Sequence, residues 1–130
     1  MASKLLCVAA VACLAVLVSF PSASLAMSVR FSWAGYQACS TNSPAFNVSD
    51  VPKGTARLAF KMVDKNVPSY PHGGGTIAYD GGGAIPAGAF SFKGPCPPSG
   101  QRHTYEWPIR ALDKGGKIVG SAIATAKFPP

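Results

Sequence analysis

Hydrophobic and polar side chains alternate along three stretches of the chain. Residues 29–33, 57–62 and 105–111 each place every second side chain on an apolar face. A period of two is typical of half-buried β-strands. We therefore predict three strong strands at these positions.

Weaker patterns predict further strands at Phe46–Val48, Thr76–Tyr79 and Ile118–Phe128. Asp113–Lys117 has the composition of a hairpin turn, so Ile118–Phe128 is predicted to be the return strand. Its alanines also allow a short helix there. Pro108 lies on the polar face of its strand and lacks an amide proton, which predicts an edge strand or a bulge.

Composition favours many turns over long helices. The 130 residues include 14 glycines and 12 prolines, and no helical pattern is long enough to supply a crossover between parallel strands. The hydrophobic fraction of 48% argues against disorder. The predicted fold is all-β, an antiparallel β-sandwich with few or no helices after the N-terminal segment.

The N-terminal segment has the pattern of a secretory signal peptide. One lysine precedes the uncharged apolar run Leu5–Val18, and Ser24–Ala26 provides small residues for cleavage. We predict a signal peptide at 1–26 and a domain at 27–130. The protein is then periplasmic or secreted, with no transmembrane segment after cleavage. A retained anchor, or a lipoprotein acylated at Cys13, is the alternative.

Only Cys39 and Cys96 remain in the predicted domain. Two cysteines in an exported domain most simply form one disulfide, although two buried thiols are an alternative. A metal site combining them with His72 and His103 lacks the paired spacing that such sites show. We predict no metal and no cofactor.

Net charge indicates which partners are compatible with the chain. Residues 27–130 carry eleven basic and five acidic side chains, which favours contact with anionic partners. The basic residues are scattered and are not interleaved with aromatic residues. Nucleic-acid binding is therefore not predicted.

Catalytic motifs are absent from the sequence. No serine has a nucleophile-elbow context, and the triplets Gly73–Gly75 and Gly81–Gly83 lack the lysine and the helix of a phosphate-binding loop. The triplets are expected to allow tight turns or close backbone approach. Phosphate binding by their amides is the alternative. The protein is predicted not to be an enzyme.

Four polar side chains stand at strand ends. Asp64 follows one strong strand, His72 comes shortly after it, and His103 and Tyr105 share one face of another. If the strands meet, these groups would line one opening suited to a small anion. Two isolated surface histidines are the alternative.

Five pieces of sequence follow one another along the chain: Leu58–Asp64, Val67–Pro68, His72, Gly94–Pro98 and His103–Trp107. Their order resembles that of the phosphatidylethanolamine-binding protein (PEBP) family, also called Raf-kinase-inhibitor-like proteins. The similarity is to its short exported bacterial members and spans roughly Ser43 to Leu112.

The resemblance implies a pocket at the end of a PEBP-like sandwich. Asp64, His72, Pro98, His103 and Tyr105 would line it and bind a phosphate-type anion or a phospholipid head group without turnover. The sequence departs from the family pattern where Asn66 replaces a second acid, Gly73 replaces a tryptophan and Thr104 replaces an arginine.

An immunoglobulin- or fibronectin-like interaction module is the alternative. Residues 105–116 resemble the late hairpin of such domains. That interpretation predicts a protein partner and no small-molecule site.

Overall fold

A computed structural model describes residues 17–20 and 26–130. The predicted signal peptide at 1–26 lies mostly outside this part, so it stays a prediction. In the described part no helix is long and apolar enough to cross a membrane. Residues 27–130 form two antiparallel β-sheets, which confirms the predicted all-β class.

Eight strands make up the two sheets. The three-stranded sheet has the order β1-β2-β6. In the five-stranded sheet β7 lies between β8 on one side and β3 and β4 on the other, and β5 pairs with β3. The strands are β1 (Ser28–Phe31), β2 (Phe46–Ser49), β3 (Arg57–Lys61), β4 (Val63–Asp64), β5 (Gly74–Ala78), β6 (Ala84–Ile85), β7 (His103–Leu112) and β8 (Ile118–Phe128).

Strand β7 organises the larger sheet. Its ten residues alternate between buried and less buried positions, as the period of two predicts. Trp107 and Ile109 are fully buried on the inner face. The same face continues through Tyr105 to His103, so the core side of this strand ends in polar groups.

Pro108 contradicts the predicted edge position. β7 is a central strand in which Pro108 pairs with Ile123 of β8, and the register irregularity lies at Ala111 and Leu112 instead. On the other side, the registers of β3 and β4 with β7 are continuous and place Pro108 opposite Lys61. The ladder is interrupted next to it, between β3 and β4. A missing amide proton there accounts for this gap without moving β7 to an edge.

Aromatic side chains hold the two sheets together. Phe46 of β2 packs on Phe60 of β3 with ring centroids 4.9 Å apart, and on Trp107 of β7 at 5.1 Å. Trp33, which follows β1, lies 6.2 Å from Tyr105. These contacts place the core between the sheets and bring it up to Tyr105.

The hairpin at Asp113–Lys117 forms as predicted. The amide of Lys117 donates to Asp113 Oδ1 at 2.9 Å, and Gly116 adopts a φ of 84° that favours glycine. The chain then continues as strand β8 over Ile118–Phe128. The helix alternative for that segment is wrong, because its residues pair with β7 along its whole length.

The proline-rich loop 94–100 is tied to the loop that follows β1. Cys39 and Cys96 form the predicted disulfide, with their Cα atoms 4.6 Å apart. The amide of Cys39 donates to Pro95 O, and the amide of Gly94 donates to Ser40 O, both at 2.9 Å. This cross-link fixes the loop as a wall beside the N-terminal end of β7.

The first glycine triplet serves close packing. Gly74 and Gly75 lie in β5, opposite Lys61 and Phe60. A Cβ on Gly74 would overlap the carbonyl of Phe60, and one on Gly75 would overlap the ring of Phe90. Their pairing with β3 and this crowding indicate that Gly74 and Gly75 allow close packing of the backbone, and they do not favour the alternative of phosphate binding.

Candidate functional site

Asp64 ends β4, facing inward opposite Tyr105. Its Oδ1 accepts hydrogen bonds from the amides of Asn66 at 2.8 Å and Val67 at 3.2 Å, which turn the chain away from the sheet. Burial alone would raise the pKa of Asp64. The hydrogen bonds from His103 and from the two amides outweigh burial, so the pKa lies below its ordinary value.

His103 begins β7 and is held from both sides of its ring. Nδ1 lies 2.7 Å from Asp64 Oδ2, and Nε2 lies 2.8 Å from Oε1 of Gln101. A carboxylate only accepts, so Nδ1–H donates to Asp64. The second contact is satisfied either by an imidazolium or by the Gln101 amide group turned over, since amide oxygen and nitrogen are assigned from such contacts.

His72 is anchored through the backbone of Lys93. Its Nδ1 donates to Lys93 O at 2.6 Å, and its own carbonyl accepts from the amide of Lys93 at 2.8 Å. Nε2 has no protein partner among the described residues. It is the imidazole nitrogen left available to another molecule.

Tyr105 stands between the two imidazoles. Its ring centroid lies 5.6 Å from that of His72 and 6.2 Å from that of His103. Burial, and next the negative charge of Asp64, raises the pKa of Tyr105 to about 12. The phenol therefore stays protonated throughout the physiological pH range.

These side chains surround one cavity of about 280 Å³. All five residues predicted as ligand contacts line it. Their role in binding stays a prediction. The complete lining is Asp64, Val67, Tyr70, His72, Cys96, Pro97, Pro98, His103 and Tyr105.

Sequence reasoning missed several neighbours of the cavity. Val67 and Tyr70 form an apolar rim, exposed by 42% and 49%. Lys93 Nζ lies 5.8 Å from the Tyr70 ring centroid, which brings a positive charge close to the cavity. Gln101 could have been found from spacing, because it precedes His103 by two residues and so continues the face of Tyr105.

A larger groove of about 730 Å³ lies elsewhere, along β1 and the loop after it. Arg30, Tyr36, Asn42 and Asn47 are among its lining residues, none of which is a histidine or a carboxylate. Tyr36 already donates to Asn42 O at 2.7 Å. The groove therefore offers less acid–base and charged chemistry than the smaller cavity.

No cluster of three or more His, Cys, Asp or Glu side chains suited to a metal ion occurs in residues 17–20 and 26–130. Cys39 and Cys96 are bonded to one another, so they provide no thiolate ligand. The alternative of a mixed cysteine–histidine metal site is not supported.

Comparisons with solved structures identify the architecture. The Chlamydia trachomatis protein CT736, described as a phosphatidylethanolamine-binding protein homologue, superposes with a TM-score of 0.60 at 20% identity. The match covers 81% of this chain and 98% of CT736. The fold is PEBP-like.

A second solved structure agrees with the PEBP-like fold. Escherichia coli YbcL, described as a member of the mammalian PEBP family, matches with a TM-score of 0.55 at 19% identity. The match covers 68% of this chain and 80% of YbcL. No family model matches the sequence, and no curated protein matches it significantly. The resemblance stated from the motifs is thus supported at the level of the fold.

Proposed function

We propose that this protein is an exported, non-enzymatic binder of a small anionic group, either a free phosphate-type anion or a phospholipid head group. The observation that carries the proposal is the cavity at the N-terminal end of β7. Two imidazoles and a protonated phenol line it, and its one carboxylate is already engaged by His103.

Each group has a role in the proposal. His72 Nε2 and His103 Nε2 donate to the anion when protonated, and Asp64 orients the His103 ring through Nδ1. Tyr105 keeps its hydroxyl proton, which is donated in a hydrogen bond to Asp64 and can turn to the anion when it binds. Pro98 and its neighbour Pro97 shape the rigid rim.

The charge balance is compatible with an anion. Asp64 is the only acid in the lining, and three hydrogen bonds from His103 and two amides reduce its repulsion of a ligand. Lys93 adds a positive charge near the rim. The disulfide is consistent with an oxidising compartment such as the periplasm or the exterior.

The test uses the protein purified from its host, in the form that the host produces. It is titrated with inorganic phosphate and with phosphoethanolamine. The chain has two histidines, so single His→Ala variants assign both ring signals by NMR. We expect both rings to shift on binding. Preference for phosphoethanolamine would indicate a head group, and equal binding would indicate a free anion.

The double variant H72A/H103A is expected to bind at least tenfold more weakly, because it loses two donors to a charged group. The matched control is R30Q, which removes a cation from the larger groove instead. Unchanged histidine signals during titration, or full binding by the double variant, would refute the pocket.

Gln101 provides a second arm of the same experiment. Its side chain occupies His103 Nε2, so a ligand must displace it. We expect Q101A to bind phosphate several-fold more tightly, since one competing hydrogen bond of about 1 kcal/mol is removed. Weaker binding would mean that Gln101 supports the ligand instead of excluding it.

A further inference from the structure

The outer face of the five-stranded sheet is uncovered and rich in cations. Arg57 and Lys61 of β3, Arg110 of β7 and Lys127 of β8 are all exposed. Ala59 pairs with Arg110, so Arg57 and Lys61, two residues on either side of Ala59, share its face. By the same alternation Lys127 lies on this face.

Acidic residues contribute little to this face. Glu106 is the only acid pointing outward from the strands of the sheet, and it lies 3.5 Å from Lys65. Arg57, Lys61 and Arg110 have no carboxylate partner within the described part of the chain. Three cations are therefore available to an external anionic group.

The centre of the face is apolar. Pro108 pairs directly with Ile123, whose side chain is 64% exposed. A depression of about 70 Å³ lies on the other side of Pro108, between β3 and β7, with Ala59, Lys61, Pro108 and Arg110 among its lining residues. Cations around exposed aliphatic groups are the pattern of surfaces that lie at a lipid head-group layer.

We propose that this outer sheet face, defined by Arg57, Lys61, Arg110 and Ile123, binds the surface of an anionic lipid bilayer. Lys61 and Arg110 hold a lipid phosphate at the depression, and Ile123 contacts the acyl boundary. The face has no aromatic side chain on which bases could stack, so a bilayer fits it better than single-stranded nucleic acid does. The site is separate from the cavity at the N-terminal end of β7.

Vesicle co-sedimentation tests the proposal, again with the protein in the form that its host produces. Vesicles of phosphatidylcholine are compared with vesicles containing phosphatidylglycerol, at low and high salt. We expect binding that requires phosphatidylglycerol and weakens with salt. R57Q/K61Q/R110Q should reduce the partition coefficient roughly 100-fold, because each cation near a charged surface contributes about a factor of five.

The control variant is R30Q/K53Q/K114Q, which removes the same charge from the other sheet and from turns. Its partition coefficient should fall only a few-fold. An equal loss in both triple variants would overturn the proposal in favour of diffuse net charge. Tighter binding to soluble heparin than to the vesicles, with the same dependence on the face, would overturn it in favour of a polyanion.

H72A/H103A separates this face from the pocket. We expect the double variant to bind the vesicles as the wild type does, even if it has lost phosphate binding. Loss of vesicle binding in that variant would overturn the proposal, since it would place the head-group contact in the cavity.

Discussion

Fixed hydrogen bonds hold the polar side chains at and beside the cavity. Asp64 accepts from His103 and from two amides, so fixed donors stabilise its negative charge. Asn66 stands where the resemblance leads one to expect a second acid, and its Oδ1 accepts from the amide of Thr104 at 2.8 Å. The Asn66 side chain therefore keeps a hydrogen-bond acceptor between β4 and β7 without the negative charge that an acid would place near the cavity.

Tyr105 gives a pH prediction at this scale. Its folded pKa of about 12 exceeds the ordinary 10.0, so the folded state holds this proton more tightly than the unfolded state does. The resulting stability is present below about pH 10 and is lost as pH rises to about 12. As pH rises from about 10 to about 12, the free energy of unfolding, measured in urea, should fall by up to about 2 kcal/mol more in the wild type than in Y105F.

The matched control for that series is Y79F, which removes a phenol hydroxyl away from the cavity. Parallel stability profiles for wild type and Y105F above about pH 10 would contradict the assignment of the high pKa to Tyr105.

At the scale of elements, β7 joins the core to the cavity. The alternation that buries Trp107 and Ile109 also turns Tyr105 and His103 inward. The functional candidates thus occupy the first positions of β7, at one end of its core face. β4 then places Asp64 opposite Tyr105 by ordinary antiparallel register.

The packing of β5 on β3 leads to a stability prediction. G74A should destabilise the fold by about 1–3 kcal/mol, because the added methyl would meet the carbonyl of Phe60, which the sheet holds in place. G115A is the control, since its methyl would meet only Asp113 Oδ1, at 3.4 Å. Thermal unfolding followed by circular dichroism compares the two. Equal melting temperatures for G74A and G115A would contradict the prediction, because β5 would then accommodate the methyl group without loss of stability.

At the scale of the whole molecule, four segments form the cavity. β7 supplies His103 and Tyr105, β4 and the turn after it supply Asp64, the loop before β5 supplies His72, and the proline-rich loop supplies Pro98. The disulfide between Cys39 and Cys96 ties that last loop to the segment after β1. The cavity wall therefore depends on a covalent link to a part of the chain that does not line it.

The disulfide should contribute substantially to stability. It closes a separation of 57 residues, and a loop of that length stabilises by roughly 4 kcal/mol in the chain-entropy model. C39S/C96S should lose about that much free energy of unfolding in urea. Non-reducing peptide mapping of the wild type provides the control that the bond is formed. Recovery of both cysteines as free thiols would contradict the pairing.

Local patterns were sufficient to predict the strong strands, the hairpin at Asp113–Lys117 and the all-β class. Alternation and turn chemistry depend on neighbouring residues, which a sequence displays directly. The same reasoning failed at Pro108, because whether a strand is central depends on which strands pair with it. The motifs named the candidate ligand residues, but only the fold could bring them together.

Distances across the chain were decided by tertiary structure alone. The contact of Asp64 with His103, the approach of Lys93 to Tyr70 and the sharing of one sheet face by Arg57 and Arg110 all depend on register and loop closure. The basic residues look scattered along the sequence, yet antiparallel pairing places several on one surface. Side-chain periodicity is local, whereas charge patterns and cavities are properties of the folded arrangement.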